Sequence, residues 1–373
     1  MRVCFLNLDL REDTGAGRFG RGLIACLRAA DSAIEPVVLT TVGSGHPWEE
    51  AILFPNTMRL LAALPRIRRV FRECDVIHAL DGWPYGVIAA IAGIGLGKKL
   101  VITAIGTGAI QPLSPGLRPA ALARRMLLAW AYRRASRVVA ISNYTRREIL
   151  ARIPELSVSV INHAVRADEF VEPEALAPEE TAAIERLKPY VLSVGGWKSR
   201  KGFEYSFPAF AEIAQKFPDL RYAVVGIGPK PWLEARHGIT GRVAYFKGIR
   251  WPFLKALYRS AELFMLLPYN DRGDTEGFGF AFLEAAAAGI PVIGTRESGA
   301  EDAVRDGING YLVPPRDAHA AAVAAVSILS HPGEKAKLSR ASREFARSMS
   351  WDRVARSYRE IYRALCPEAS RRV

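Results

Sequence analysis

The sequence has few cysteines, and none is spaced for a metal site. The 373 residues include Cys4, Cys26, Cys74 and Cys366, with no CxxC pair among them. A disulfide framework or a zinc site is therefore not expected, and a reducing compartment fits the composition.

Long apolar runs are also missing. The longest, from Tyr85 to Leu96, is interrupted by glycines and is shorter than the roughly 18–20 residues of a membrane span. No leader pattern precedes the strand-like residues after Met1. We therefore expect a cytoplasmic protein, either soluble or bound at the inner face of the cytoplasmic membrane.

Acidic residues are outnumbered by basic ones, and the formal net charge is +13. The excess is concentrated in two stretches where arginines alternate with apolar residues at helical spacing, as in a helix lying on an anionic membrane. An ordinary surface helix with solvated arginines is the alternative. No nucleic-acid-binding motif accompanies the charge, so nucleic acid is not an expected partner. The arginines are Arg59, Arg66, Arg68, Arg69 and Arg72, then Arg118, Arg124, Arg125, Arg133, Arg134 and Arg137.

Short apolar strands alternate with helical stretches in both halves of the chain. This alternation predicts an α/β protein with two Rossmann-like, doubly wound parallel sheets, and a ligand cleft at the carboxyl ends of their strands. A polar, proline-bearing stretch over 171–185 predicts the linker between the halves. The predicted strands are Arg2–Leu8, Val37–Thr40, Val76–Ala79, Leu100–Thr103, Arg137–Ile141, Tyr190–Val194, Arg221–Val225, Val243–Phe246, Leu263–Leu267, Pro291–Gly294 and Gly310–Val313. The main predicted helices are 19–30, 203–216, one through Glu284, and 351–365.

Two carboxylates eight residues apart form the most informative pattern. Glu276 precedes a Gly-Phe-Gly turn, and Glu284 lies in an alanine-rich run that we place about two turns into a helix. Amides at a helix start favour a phosphate, while carboxylates accept hydrogen bonds from sugar hydroxyls. The segment is therefore a candidate site for a nucleotide-sugar.

With the surrounding residues, this segment resembles the GT-B glycosyltransferases, specifically glycosyltransferase family 4. The similarity covers nearly the whole chain and is strongest over EGFGFAFLEAAAAGIPVIGTRESGAEDAVRDGINGYLVPP, residues 276–315. Supporting matches are Gly15-Ala16-Gly17, Val139–Thr145, Gly195–Gly202 and Ser350-Trp351-Asp352. The resemblance implies that the last helix crosses back to the first domain. We accordingly expect an acceptor-side domain of residues 1–170 with 352–373, and a donor-binding domain of residues 186–351.

The resemblance also implies a role for each motif residue. Glu284 would bind the nucleotide ribose, and Glu276 would lie near the donor sugar. Lys201, with Arg200, would neutralise the departing diphosphate, so that no metal or other cofactor is required. Backbone groups would complete the donor site at Gly277, Phe278, Gly279, Gly195 and, toward the base, Gly248-Ile249.

Two other patterns carry alternatives. Gly15 and Gly17 follow the first strand and open a helix, which suits amides facing a phosphate or an acceptor. With Gly20 they also match the string of a dinucleotide site, but no acid follows near residue 40, where Leu39-Thr40-Thr41 stands. Asp271 and Asp274 offer a metal-binding carboxylate pair, although we expect them to belong to a loop.

The sequence departs from the family pattern at three places, and the first two affect the proposed catalysis. Gly196 stands where many members have arginine, and Arg200 is the candidate replacement. Ile105 stands where the family often has histidine, which leaves His78, at a strand end, as either a catalytic or a structural imidazole. Asn162-His163 replaces the usual Asn-Gly turn, which we expect to affect only the hinge between the domains.

The resemblance implies a retaining, metal-independent transferase that moves a hexose-type sugar from a nucleotide-diphosphate sugar. We expect an acceptor hydroxyl on a sugar or a lipid-linked precursor of a surface polysaccharide. The alternatives are a catalytically impaired nucleotide-sugar-binding subunit, suggested by Gly196 and Ile105, and a nucleotide-sugar epimerase. The base, the sugar, the acceptor and the oligomeric state do not follow from the residues.

Overall fold

The computed structural model describes residues 1–12, 14–54, 57–116, 118–173 and 175–367. The chain divides into two units. Met1–His163 and Trp351–Val373 form the first, and Ala164–Ser350 form the second. Residues 164–170, assigned from sequence to the first domain, thus fall in the second unit. The expected linker over 171–185 also falls in the second unit. It contains most of the helix Pro178–Leu187.

The first unit is built around a parallel sheet with helices between its strands. Its strands pair in the order β3-β2-β1-β4-β5-β6-β7, counted within the described residues. Most strands are apolar on both faces, as expected when helices cover both sides of a parallel sheet. The elements are β1 Arg2–Leu6, α1 Gly15–Ala30, β2 Glu35–Thr40, β3 Glu49–Ala51, α2 Thr57–Arg72, β4 Val76–Leu80, α3 Val87–Ala92, β5 Lys99–Ala104, α4 Thr107–Ile110, α5 Pro119–Arg134, β6 Arg137–Ala140, α6 Asn143–Leu150 and β7 Val158–Val160.

The second unit repeats this architecture. Its parallel strands pair in the order β10-β9-β8-β11-β12-β13 over the described part of the chain. The elements are α7 Pro178–Leu187, β8 Tyr190–Val194, α8 Phe203–Lys216, β9 Arg221–Val225, α9 Pro231–His237, β10 Val243–Phe246, α10 Trp251–Ser260, β11 Leu263–Met265, α11 Phe280–Ala288, β12 Val292–Thr295, α12 Ala300–Ala303, β13 Gly310–Val313, α13 Ala318–Ser330 and α14 Pro332–Ser348. The two sheets confirm the predicted fold class.

The last helix, α15 Trp351–Leu365, packs within the first unit. Its buried residues recur every three or four positions and include Val354, Tyr358 and Tyr362, so one face of an otherwise charged helix is apolar. Arg359 and Arg363 on this helix both contact Asp31, each at 3.1 Å. The helix is thereby fixed beside the end of α1.

Several predicted bounds differ from the structure. The helix after β1 begins at Gly15 instead of Phe19, because Thr14 caps it by accepting a hydrogen bond from the amide of Gly17. β11 ends two residues early, at Met265. The short strands β3 and β7 were not predicted, since three residues carry too little periodicity to identify.

Candidate functional site

The predicted donor residues of the second unit meet at one edge of its sheet. From β8 the chain proceeds to β9 and β10 on one side, and β11, β12 and β13 lie on the other. The segments after β8 and β11 therefore leave neighbouring strands where the strand order reverses. Ligands of open parallel sheets bind at such a point.

The loop after β8 carries two cations in a short helical turn over Ser199–Lys201. The turn ends at Gly202, whose φ is +66 and whose added Cβ would lie 1.7 Å from the carbonyl oxygen of Leu267. Only glycine fits this position, and it holds the loop against the segment after β11. At Gly195 an added Cβ would lie 3.3 Å from the Lys201 side chain, and its amide donates to Val225. Gly195 thus makes room for Lys201 but has no amide to offer a ligand.

Lys201 and Glu276, both predicted site residues, form an ion pair. Nζ of Lys201 lies 2.7 Å from Oε2 of Glu276, and the two side chains are only 14% and 11% exposed. Burial alone would raise the pKa of Glu276, but the charges of Lys201 and Arg200 outweigh it and hold that pKa below its usual value. Glu276 is therefore ionised at neutral pH.

Arg200 is fixed at one end of its guanidinium. Its Nε donates to the carbonyl of Thr275 at 3.2 Å and lies 3.2 Å from Oδ1 of Asp274. Nη1 is buried, and no group among the described residues accepts a hydrogen bond from it. A buried guanidinium nitrogen without an acceptor is costly, and an anionic ligand would satisfy it.

A nearby segment positions the loop from Glu276 to Gly279. The amide of Gly299 donates to the carbonyl of Glu276 at 2.8 Å. An added Cβ on Gly299 would lie 2.2 Å from backbone atoms of Gly277 and 2.4 Å from the amide nitrogen of Phe278. Phe278 is buried, and Gly279 has a φ of +87 just before α11. The predicted Gly-Phe-Gly turn is therefore held by packing from both sides.

Glu284 lies closer to the start of its helix than the sequence indicated. Helix α11 begins at Phe280, so Glu284 is about one turn in, and the expectation of two turns is wrong. The reason is Gly279, whose left-handed conformation delays the helix. Glu284 is 4% exposed, and its Oε2 accepts a hydrogen bond from the hydroxyl of Tyr258 at 2.8 Å. Tyr258 lies on α10, and no local signal indicated it.

The remaining second-unit residues lie at the same edge of the sheet. Ile249 is half-buried and follows β10, after Gly248 with its φ of +66. Gly196 lies in open space, since an added Cβ would have no heavy atom within 4 Å. Packing would therefore allow an arginine at position 196.

The aspartate pair at 271 and 274 forms a tight turn. Asp271 and Asp274 exchange backbone hydrogen bonds of 2.9 and 3.0 Å. The Asp271 carboxylate accepts from Ser199, and Asp274 lies beside Arg200. Over the described ranges, no group of three or more His, Cys, Asp or Glu side chains is arranged to hold a metal ion.

Gly15 and Gly17, predicted site residues of the first unit, lie at the start of α1. Gly17 is packed against the loop after β1, where an added Cβ would lie 2.2 Å from the carbonyl oxygen of Arg11, and its amide is bound by Thr14. Its predicted role as an amide donor to a ligand is therefore not supported by the structure. Gly15, the first residue of α1, has open space around it.

His78 is a core residue. It is 0% exposed, Nδ1 lies 2.6 Å from the hydroxyl of Tyr362, and Nε2 lies 2.7 Å from Oγ1 of Thr103. Burial lowers its pKa to about 3, so the imidazole is neutral. With both nitrogens bound to core groups, His78 joins β4 to α15 and β5, and it is not available as a catalytic group. His163 is likewise buried, with its ring 4.6 Å from that of Phe19.

An unpredicted residue, Asp81, has the most unusual backbone of the first unit. It follows β4 with φ 150 and ψ 159, a conformation that residues other than glycine rarely adopt and that costs on the order of 1–3 kcal/mol. Its carboxylate accepts the amide of Gly82 at 2.7 Å and the amides of Ile105 and Gly106. Burial nevertheless raises the pKa of Asp81 to about 7. Strain of this kind is common at functional sites.

Comparison with known families assigns both units. Residues 14–169 match the model described as Glycosyltransferase Family 4, and residues 179–345 match the model described as Glycosyl transferases group 1. Two similar proteins are a GDP-mannose-dependent alpha-(1-6)-phosphatidylinositol monomannoside mannosyltransferase of Mycolicibacterium smegmatis and a D-inositol 3-phosphate glycosyltransferase of Salinispora tropica. Each is 30% identical, over 56% and 77% of this chain respectively. The matched regions span 57% and 63% of those relatives.

Solved structures share the fold across nearly the whole chain. Anabaena HepE in complex with UDP and glucose matches with a TM-score of 0.77 at 18% identity, covering 98% of this chain and all of that one. Sucrose-phosphate synthase from Thermosynechococcus elongatus matches with a TM-score of 0.77 at 20% identity, covering 98% and 99%.

Proposed function

Because the chain belongs to the GT-B glycosyltransferases of family 4, we propose that it transfers a sugar from a nucleotide-diphosphate sugar to an acceptor hydroxyl. The observation that carries the proposal is the pairing of Lys201 with Glu276, beside Arg200, where the strand order of the second sheet reverses. The two cations there suit the diphosphate of the donor, and the carboxylate suits the hydroxyls of its sugar.

In the proposed reaction, the two cations stabilise the leaving diphosphate. Lys201 exchanges its contact with Glu276 for a phosphate oxygen, and Nη1 of Arg200 gains the acceptor that it lacks. Charge that develops on the leaving group is then met by groups already in place, which lowers the barrier. Glu276, released from Lys201, accepts hydrogen bonds from hydroxyls of the donor sugar.

We assign Glu284 to the nucleotide ribose. Tyr258 donates a hydrogen bond to one of its oxygens, and a carboxyl group with two oxygens has further acceptor sites for ribose hydroxyls. One relative is named for its dependence on GDP-mannose, and HepE was solved with UDP and glucose. The panel for the first experiment is therefore UDP, GDP and ADP and their glucose and mannose conjugates, with melting temperature as the readout.

The assignment of Lys201 is tested by comparing binding with turnover. Lys201→Ala should lower the rate of sugar transfer, or of donor hydrolysis without an acceptor, more than it weakens donor affinity. The reason is that the lysine acts most on the charged leaving group. Glu284→Ala should mainly weaken donor binding. Wild-type turnover in Lys201→Ala would contradict the role of the lysine. Nucleotide-dependent stabilisation of the native protein without any turnover would favour the alternative of a binding subunit, suggested by Gly196 and Ile105.

We further propose that transfer needs no metal and retains the anomeric configuration. Arg200 and Lys201 supply the positive charge that a divalent ion would otherwise bring to the diphosphate. Activity unchanged by EDTA, and a product whose anomeric coupling matches that of the donor by NMR, are the expected results. Loss of activity restored by Mg²⁺ would contradict the first part.

We propose a lipid-linked acceptor, presented at an anionic membrane. Helix α5 carries the exposed apolar side chains Leu122 and Met126, at 51% and 63%, beside exposed Arg124 and Arg125. Neither arginine has an ion-pair or hydrogen-bond partner within the described residues. Arg66 and Arg68 on α2 are engaged instead, by Glu50 and by backbone carbonyls. No helix in the described chain is long and apolar enough to cross a bilayer.

Vesicle sedimentation tests this membrane surface. Replacing Arg124 and Arg125 with serine should reduce binding to phosphatidylglycerol-containing vesicles, because each basic residue near the surface contributes about 1 kcal/mol. Arg66→Ser is the control, since Arg66 is paired with Glu50. Equal sedimentation of the double variant and the control would remove the membrane from the proposal.

A further inference from the structure

We propose that Asp81 binds a sugar hydroxyl at the carboxyl end of the first sheet, where Ile105 provides no polar side chain. The inference rests on the proposed transferase function and adds a substrate-binding residue in the first unit. His78 was the nearest imidazole by topology that the sequence offered for this role, and it is buried in the core.

The position of Asp81 in the sheet supports a ligand-binding role. The strand order of the first sheet reverses between β1 and β4, because β2 and β3 lie on one side and β5, β6 and β7 on the other. Asp81 directly follows β4, at this reversal, where parallel sheets bind ligands. The residue as a whole is partly exposed at this edge of the sheet.

The contacts of Asp81 join it to the backbone at Ile105. Its carboxylate accepts the amides of Ile105 and Gly106, which directly follow β5. Gly108 permits this approach, since an added Cβ there would lie 2.6 Å from Oδ2 of Asp81 and 2.4 Å from the carbonyl oxygen of Trp83. A carboxylate thus occupies the space beside a residue whose own side chain cannot form a hydrogen bond.

The backbone strain indicates that Asp81 is kept for its side chain. Glycine adopts φ 150 and ψ 159 freely, yet the chain places an aspartate there. Other polar groups lie nearby. The hydroxyl of Tyr85 is 3.4 Å from Oγ1 of Thr41. Burial raises the pKa of Tyr85, and the charges of Asp81 and Asp9 add to this effect. Carboxylates and hydroxyls grouped in this way suit a polyol better than an anion.

Two variants remove the carboxylate charge while preserving the fold. Asp81→Asn retains one oxygen, which can accept at most two of the three amides, and Asp81→Gly suits the backbone conformation. Asp75→Asn is the matched control, because Asp75 flanks the other end of β4, is also partly exposed and accepts one backbone amide, that of Arg2 at 2.8 Å. Melting temperature without ligand establishes that each variant is folded.

The hydroxyl could belong to the donor sugar or to the acceptor, and two measurements separate these sources. The first compares the melting shift caused by UDP-glucose with that caused by UDP, and GDP-mannose with GDP. The second is saturation-transfer NMR with methyl glucoside, methyl mannoside and myo-inositol, in the presence of the nucleotide that binds. Both measurements are made above pH 7, where the Asp81 carboxyl is mainly ionised, and loss of a hydrogen bond to a charged group should then weaken binding about tenfold or more.

For a donor hydroxyl, both Asp81 variants lose the extra shift caused by the sugar and keep the shift caused by the nucleotide. For an acceptor hydroxyl, they keep both shifts and lose the saturation-transfer signal of the free polyol. Asp75→Asn should behave like the wild type throughout. Unchanged sugar binding in both Asp81 variants, or wild-type protein that binds nucleotide but shows no sugar contribution in either measurement, overturns the inference. Absence of any nucleotide-dependent shift in the wild type would refute the proposed function instead.

Discussion

Removal of the Lys201 charge is the most direct test of how the donor site is held together. Lys201→Met preserves the aliphatic stem that lies beside Gly195 and removes the ammonium group. Glu276 would then remain 9% exposed with its closest cation gone. We expect a loss of stability from the isolated carboxylate, in addition to the loss of turnover.

The size of this loss follows from the burial of the pair. Removing one partner of a fully buried ion pair costs about 3–5 kcal/mol. Arg200 also acts on Glu276 and stays in the variant, and the pair is slightly exposed, so we expect about 2–3 kcal/mol. The double variant Lys201→Met, Glu276→Gln leaves no unpaired charge and should be more stable than Lys201→Met alone. The effects of the two single replacements should therefore not add.

The pH dependence of stability gives an independent test of the Lys201–Glu276 pair. In the wild type, the folded pKa of Glu276 lies below its ordinary value of 4.5. The pair therefore stabilises the protein above pH 4.5, and this contribution is lost as the pH falls through the folded pKa. In Lys201→Met, burial is opposed only by the weaker nearby charges, so the pKa of Glu276 should rise. The variant should thus come closer to wild-type stability between pH 7 and pH 5.

Urea-dependent hydrogen exchange of peptides covering 190–202 measures the stability of the second unit separately from that of the first. Exchange is recorded at both pH values for the wild type, the two single variants and the double variant. A Lys201→Met variant within about 0.5 kcal/mol of the wild type, with no pH dependence, would show that Glu276 does not depend on the lysine. The proposed move of the Lys201 ammonium group from the Glu276 carboxylate to a phosphate oxygen would then have no structural basis.

Three other predictions concern residues that the structure adds, two at the donor site of the second unit and one, Asp81, in the first unit. Gly299→Ala should weaken donor binding and destabilise the second unit by about 2 kcal/mol or more, because its Cβ would meet the backbone of Gly277. The control Gly333→Ala, in open space on α14, should be neutral or stabilising by up to about 1 kcal/mol. Melting curves with and without nucleotide distinguish the two variants. Tyr258→Phe should cost about 1–2 kcal/mol and reduce nucleotide affinity several-fold, since Glu284 loses its buried donor; calorimetric titration with the nucleotide that binds measures this, and an unchanged affinity would separate Tyr258 from the ribose site. Because the folded pKa of Asp81 is raised to about 7, its contribution to stability falls as the pH rises from about 4 to 7; pH-dependent unfolding should therefore be flatter in Asp81→Asn, and identical pH profiles would contradict the raised pKa.

The donor side could be predicted from the sequence because its residues are close together in the chain. Glu276 to Glu284 span a single loop and helix, and Arg200 adjoins Lys201 in another loop. The predicted α/β alternation then placed these two loops at the carboxyl ends of strands. Tyr258 could not be found in this way, because its contact with Glu284 depends on the packing of α10 against α11.

The first unit shows where such reasoning fails, since His78 and Asp81 lie only three residues apart near the end of β4. The sequence left His78, the nearest imidazole by topology, as either a catalytic or a structural group. In the structure Tyr362, 284 residues further on, binds one of its nitrogens in the core. Asp81 had no distinguishing motif. Its backbone strain and its contacts with the amides of Ile105 and Gly106 exist only once β4 and β5 are paired. The absence of histidine at Ile105 was nevertheless visible in the sequence, and the structure places a carboxylate beside that position. We infer that Asp81, after β4, provides the polar side chain that is missing at Ile105, after the neighbouring strand β5. Inspection of either segment alone would not reveal this.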